Sequence, residues 1–182
     1  MENILFSNLL RGVKRPLSNY DLMNIVKNES NLITYKNLKY FNKIDDILFK
    51  NACIILFENR SNIGHWICLI KRKNKNGDII IEYFDSYGMK PDEGIKNLDK
   101  YFRKKNGIDK PHLTYLLNKC PYEVHYNHHK LQSKDFKVNT CGRWCAARII
   151  LKNLETNDFA ELFYGSNLSP DILVTYLTEF LF

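Results

Sequence analysis

The stretch VNTCGRWCAARII, from Val138 to Ile150, sets two cysteines four residues apart at the head of an apolar run. CGRWCAARIILKN predicts a helix whose buried stripe is Cys145, Ala146, Ile149 and Ile150. Cys141 then stands at the helix start, where backbone N–H groups are unpaired and the helix end carries partial positive charge. A thiolate is favoured there, and Gly142 leaves room beside the sulfur. Taken locally, Cys141 reads either as a nucleophile or as a small core residue at a helix start. Cys145, one turn later on the same face, reads as a packed, inert thiol. A metal alternative would add ligands from HYNHH (His125, His128, His129). Neither spacing is a common structural zinc pattern, and three histidines in a polar stretch also fit a solvated loop.

Composition narrows the frame. The 182 residues suit one domain spanning 1–182, with 45% hydrophobic and 26% charged residues. The net charge of +7 permits an acidic partner such as DNA, and equally a generally basic surface with no dedicated site. The N-terminus opens with an acidic residue and has no long apolar core. No run approaches the roughly 18 apolar residues of a membrane span. These features predict a chain kept in a reducing compartment, without a membrane partner. The cysteines number five and are scattered, which argues against a disulfide framework.

Outward from the helix, the order of elements reads as helix, strands, helix, strand, helices, an α+β arrangement. NYDLMNIVK (Asn19–Lys27) has helical spacing after a polar start. NACIILFE (Asn51–Glu58) suits a buried strand. GHWICLIKR and DIIIEYFDS flank KNKNG and predict a hairpin with an Asn-Gly turn. GIKNLDKYFRKKNG (Gly94–Gly107) reads as an amphipathic helix closed by Gly107. YEVHYNHHKLQ reads as a strand running into a polar loop. In SPDILVTYLTEFLF, Ser169 is a candidate cap, Pro170 takes the first helical position and Asp171 suits the positive dipole end. Ile172, Leu173, Tyr176, Leu177, Phe180 and Leu181 are expected on its apolar face.

A nucleophilic cysteine needs a base within hydrogen-bond reach, and the base needs an acceptor to orient it. His65 opens the first hairpin strand and Asp85 closes the second, almost symmetrically about the turn. Antiparallel pairing brings them together to within a residue or two of register. The carboxylate would hold the imidazole in one orientation and favour its protonated form. An ordinary surface His–Asp pair is the other reading, and Cys141 is what weighs against it. For the oxyanion, the backbone N–H of Cys141 is one donor and the Gln132 amide is the candidate second.

Together GHW (Gly64–Trp66), FDSYG (Phe84–Gly88), LQS (Leu131–Ser133) and NTCGRWC (Asn139–Cys145) occur in the order His, Asp, Gln, Cys. This set resembles the cysteine protease superfamily that includes the adenovirus maturation protease (adenain) and the SUMO-specific, ubiquitin-like-protein proteases. It covers Gly64 to about Lys152. The resemblance implies Cys141 as nucleophile, His65 as general base, Asp85 as its orienter, Gln132 in the oxyanion hole and Trp66 as a wall of a narrow substrate channel. It implies a papain-like fold rearranged in chain order: a mixed central sheet flanked by helices, with the nucleophile at the start of a central helix. Gln132 lies farther before Cys141 than is usual in that superfamily, so SKDFKVNT must loop out.

The small size looks most like the viral maturation branch, with virophage and Polinton-type enzymes. The implied activity is a thiol endopeptidase cleaving capsid or virion precursors at small, Gly-rich sites, located in the virion and the host cytoplasm or virus factory. The alternative is an isopeptidase acting on ubiquitin-like proteins. No cofactor is implied, although adenain-like activation by a peptide or DNA is. The basic KRKNKNG (Lys71–Gly77) and FRKK (Phe102–Lys105) are the candidate phosphate contacts. Cys120 is the position resembling the adenain cysteine that pairs with its activating peptide; a plain loop thiol is the other reading.

Overall fold

The computed structural model describes residues 2–60 and 63–182. Helices α1 (Glu2–Lys14) and α2 (Asn19–Ile25) lead into strand β1 (Asn31–Thr34). Two 3-10 turns, Tyr35–Tyr40 and Ile44–Ile47, precede β2 (Ala52–Arg60), β3 (Ile63–Lys73) and β4 (Ile79–Phe84). A further 3-10 turn (Glu93–Asn97), α3 (Lys100–Asn106) and α4 (His112–Asn118) run to β5 (Glu123–Tyr126). Helices α5 (Cys141–Ile150), α6 (Thr156–Glu161) and α7 (Pro170–Phe180) complete the chain.

The five strands lie in sequence order in one mixed sheet. β2, β3 and β4 pair antiparallel, while β1 and β5 flank them in parallel. The hairpin turns through Asn74–Asp78, with Gly77 at φ +89 where a side chain would be strained. The fold is the expected α+β class, with helices on both faces of a mixed sheet.

The central strands read as nearly unbroken apolar runs because both of their faces are covered. On one face Ile54, Leu56, Trp66, Cys68, Ile70 and Phe84 pack under α5. On the other, Ile55, Ile67, Leu69, Ile81 and Tyr83 pack against Leu113, Leu116 and Leu117 of α4 and the 3-10 turns. Strand alternation sends neighbouring residues to opposite layers. Trp66 therefore belongs to the α5 layer and His65 to the opposite one.

Three expectations need correction. The helix expected over Gly94–Gly107 is broken: a 3-10 turn ends at Leu98, and Asp99 caps a separate α3 by accepting from the N–H groups of Tyr101 and Phe102. Gly107 closes it at φ +64 as expected. Helix α5 has no one-sided stripe, since every residue from Gly142 to Ile149 is buried, including Arg143 and Arg148. On α7 the buried residues are Asp171, Val174, Thr175 and Thr178, while Tyr176, Phe180 and Leu181 of the expected apolar face are exposed.

The polar partners explain the last two. Arg148 donates to both Glu82 oxygens, at 2.7 and 2.8 Å, and Arg72 donates to Glu82 at 2.7 Å. Arg143 donates to Thr178 Oγ1 at 2.9 Å and to Glu179 at 2.6 Å. Arg72, expected among the phosphate contacts, is turned inward to Glu82 and Glu155. Its neighbour Lys71 is held by Asp45. No helix among the described residues is long and apolar enough to cross a membrane.

Candidate active site

β3 and β4 carry His65 and Asp85 to the same end of the sheet. The register pairs Cys68 with Phe84, so the two residues meet diagonally, two positions off direct pairing. His65 Nε2 lies 3.1 Å from Asp85 Oδ2. The N–H direction does not line up with that oxygen, and Nε2 has no aligned hydrogen-bond acceptor. The contact is thus a close ion pair rather than a well-formed hydrogen bond. Asp85 is 1% exposed, and its second oxygen Oδ1 accepts from the Tyr87 N–H at 2.7 Å. The Tyr87 ring stacks on the imidazole at 4.8 Å, fixing the ring plane.

Burial works against charge on His65. Asp85 and Cys141, acting at close range, outweigh it, so the imidazole is pushed up to about 10. Burial also pushes the Tyr87 phenol up to about 12, with Cys141 and Asp85 adding to the effect. The Asp85 carboxylate and the Cys141 sulfur thus both act on the imidazole, in a setting that favours imidazolium.

Cys141 is the first residue of α5, partly exposed. The residue before it, Thr140, makes no side-chain cap to the helix. Its hydroxyl donates instead to Asp171 Oδ1 at 2.5 Å. The first backbone N–H groups of the helix are thus left uncovered by the capping position, as an oxyanion site requires. Gly142 permits the close approach of α5 to its surroundings. A Cβ there would meet Leu22 Cδ2 and Trp66 Cδ1 at 3.2 Å each.

Gln132 is 4% exposed and anchored from both ends. Its backbone N–H donates to the Ser86 carbonyl at 3.0 Å, and the Ser86 hydroxyl donates to its side-chain Oε1 at 2.7 Å. With Oε1 held, the amide nitrogen faces the other way and donates to the Val138 carbonyl at a long 3.4 Å. Trp66 is 5% exposed, so it is a core residue whose edge also lines a cleft with Leu17, Leu56, Gly64, Asn139 and Cys141. That cleft encloses about 620 Å³.

Residues that motif reading passed over hold this arrangement. Asp171, buried at the start of α7, accepts from Thr140 Oγ1, from Trp144 Nε1 at 3.1 Å and from the Ser133 N–H at 2.9 Å. One carboxylate thus ties the residue before Cys141 to the residue after Gln132. Asn127 Nδ2 donates to the Asp85 carbonyl at 2.6 Å. Ser86 sat inside a quoted motif but carried no signal of its own. A buried polar residue surrounded by polar sequence looks like loop until its partners are known.

The histidines of HYNHH are engaged elsewhere: His125 with Glu123, and His129 with Asn157. Among the described residues no group of three or more His, Cys, Asp or Glu is placed to hold a metal. Cys145 is fully buried, and its thiol is pushed well above the ordinary range by burial. Cys120 is half-buried and its thiol donates to the Tyr122 carbonyl at 3.3 Å.

No family model matches the chain. The uncharacterized protein V9 of Sputnik virophage is 37% identical over 170 residues, which cover 91% of this chain and 95% of that protein. Among solved structures, the crystal structure of ASFV pS273R protease superimposes with a TM-score of 0.49 at 14% identity, covering 92% of this chain and 68% of that one.

Proposed function

This chain belongs to the same family as protein V9 of Sputnik virophage, and from that premise we propose that it is a viral cysteine endopeptidase of the adenain-like type, acting on capsid or virion precursors. The observation that carries this reading is the convergence of Cys141, His65 and Asp85 from three different elements, with the carboxylate 3.1 Å from the imidazole and both it and the cysteine raising the imidazole's hold on its proton. A packed core thiol has no need of an oriented imidazolium beside it. The bond between Ser86 and Gln132 supports the amide as an oxyanion donor.

The chemistry follows from the placement. The Cys141 thiolate attacks the substrate carbonyl carbon, and the oxyanion is stabilised by the Cys141 backbone N–H and the Gln132 amide. His65 gives its proton to the amine nitrogen as the C–N bond breaks, leaving a thioester on Cys141. His65 then takes a proton from water. The resulting hydroxide adds to the thioester, the C–S bond breaks, and thiolate and imidazolium are regenerated. Trp66 walls the cleft beside Cys141, and the proposed preference is for small residues on the acyl side.

The test is cleavage of capsid-precursor peptides bearing glycines before the scissile bond. Cys141→Ala and His65→Ala are each expected to abolish turnover while the protein stays folded by circular dichroism. Full cleavage by either variant overturns the assignment. Virion and virus-factory location and activation by DNA or a peptide belong to the same proposal. For DNA, Lys73 is the exposed member of the 71–73 basic run, since Lys71 is ion-paired and Arg72 buried.

A further inference from the structure

A second cavity, of about 200 Å³, is lined by residues of the other face of the sheet from the cleft that holds Cys141 and Trp66. His65 forms part of its wall, and Tyr35, Phe57, Ile67, Tyr83 and Leu98 are among its aromatic and apolar lining. Both cavities therefore touch the triad, one at the sulfur and one at the imidazole. Resting on the endopeptidase reading, the geometry points to this second cavity as the subsite for the residue on the amine side of the scissile bond, selecting a large uncharged apolar side chain.

The chemistry assigns the two sides. The acyl half of the substrate stays bonded to Cys141 after the first step, so it occupies the cleft lined by Cys141. The amine half takes its proton from His65, so its nitrogen lies within hydrogen-bond reach of the imidazole. The side chain one bond further on then falls against the cavity that His65 walls. The volume is ample for a leucine, methionine or phenylalanine side chain.

Charge and hydrogen bonding restrict the class. Two carboxylates line the cavity, and both are already engaged by the protein. Asp85 is engaged by His65 and the Tyr87 N–H. Asp92 accepts from Tyr35 Oη at 2.5 Å and from the Thr114 N–H at 2.7 Å. A lysine side chain entering here would lose its hydration among the aromatic walls, would find both carboxylates already engaged, and would meet Lys90 in the cavity wall. An acidic side chain would lose its hydration against the aromatic walls. An apolar side chain gains from both. Asp92 adopts the left-handed conformation at φ +62, which aspartate tolerates, and two hydrogen bonds hold its carboxylate in place.

The experiment uses internally quenched peptides identical except for the residue after the scissile bond: alanine, leucine, phenylalanine or lysine. Leucine and phenylalanine are expected to raise kcat/KM about tenfold or more over alanine, with lysine no better than alanine. A flat series, or a preference for lysine, overturns the subsite. Gly94 lines the cavity, and a Cβ there would meet only the Phe57 ring, at 3.7 Å and beyond, so a side chain can be added without backbone strain. Gly94→Leu is expected to fill the space and erase the leucine advantage; an advantage that survives in the folded variant counts against the proposal. Binding of the same peptides to Cys141→Ala reads the cavity without chemistry. Equal affinity for the alanine and leucine peptides overturns the subsite. Tighter leucine binding with no turnover by the unmodified protein upholds it and overturns only the endopeptidase reading.

Discussion

At the scale of single residues, the site works by opposing burial with charge. Burial alone would neutralise His65, yet Asp85 and the Cys141 sulfur hold it up at about 10, above the ordinary histidine value of 6.5. A raised value means the imidazolium is complete below the ordinary histidine range and is lost as pH rises through about 10. The alkaline limb of kcat/KM is therefore expected near pH 10. Asp85→Asn should move that limb toward the ordinary histidine range and lower kcat on the order of a hundredfold; a limb that stays in place would contradict the assignment. Asp171 acts one step further out, as a positioning residue. Its two oxygens serve only donors, and an amide replaces one acceptor with a donor. Asp171→Asn must break the tie to Thr140 or to Ser133, so kcat should fall roughly tenfold or more with KM little changed. A proportionate loss of thermal stability with unchanged kcat would mark a merely structural role.

At the scale of elements, local signals were read correctly where a segment carries its own boundaries. Ser169 and Pro170 open α7, and Gly107 closes α3. The Asn-Gly turn placed the hairpin, and with it His65 and Asp85. Ser169 Oγ accepts from the Ile172 N–H at a long 3.4 Å, so Ser169→Ala should cost about 0.5–1 kcal/mol in urea unfolding. Because Asp171 lies in the same first turn, the variant should also lower kcat; a stability change without any rate change would show that the first turn of α7 is not coupled to the cysteine. Elsewhere the segments misled. Asp99 broke a run that looked continuous, because its side chain satisfies two N–H groups better as a cap than within a helix. α7 turns Thr175 and Thr178 inward, with Thr178 meeting the Arg143 guanidinium, so its expected apolar face is left partly outside.

For the whole molecule, a buried charge cluster locks α5 to the sheet. Glu82 is fully buried between Arg148 and Arg72. Burial would raise its carboxyl, but the two guanidinium groups outweigh it and hold it below the usual range. A depressed carboxyl stabilises above the ordinary glutamate range and loses that contribution as pH falls through its lowered value. Arg148→Met should cost about 3 kcal/mol in urea unfolding, since it leaves Glu82 with Arg72 alone; a change under a few tenths would deny the cluster that role. The sequence by itself determined the strand core, the hairpin, the helix bearing Cys141 and the ordered His, Asp, Gln and Cys motifs. Those features rest on periodicity, turn chemistry and spacing, which act over a few residues. Only the tertiary structure decided the rest: that Arg72, Arg143 and Arg148 point inward, that Ser86 orients Gln132, that Asp171 ties Thr140 to Ser133, and that a cavity opens beside His65. A polar side chain is buried only where a partner distant in the chain satisfies it, and such partners leave no local periodic mark.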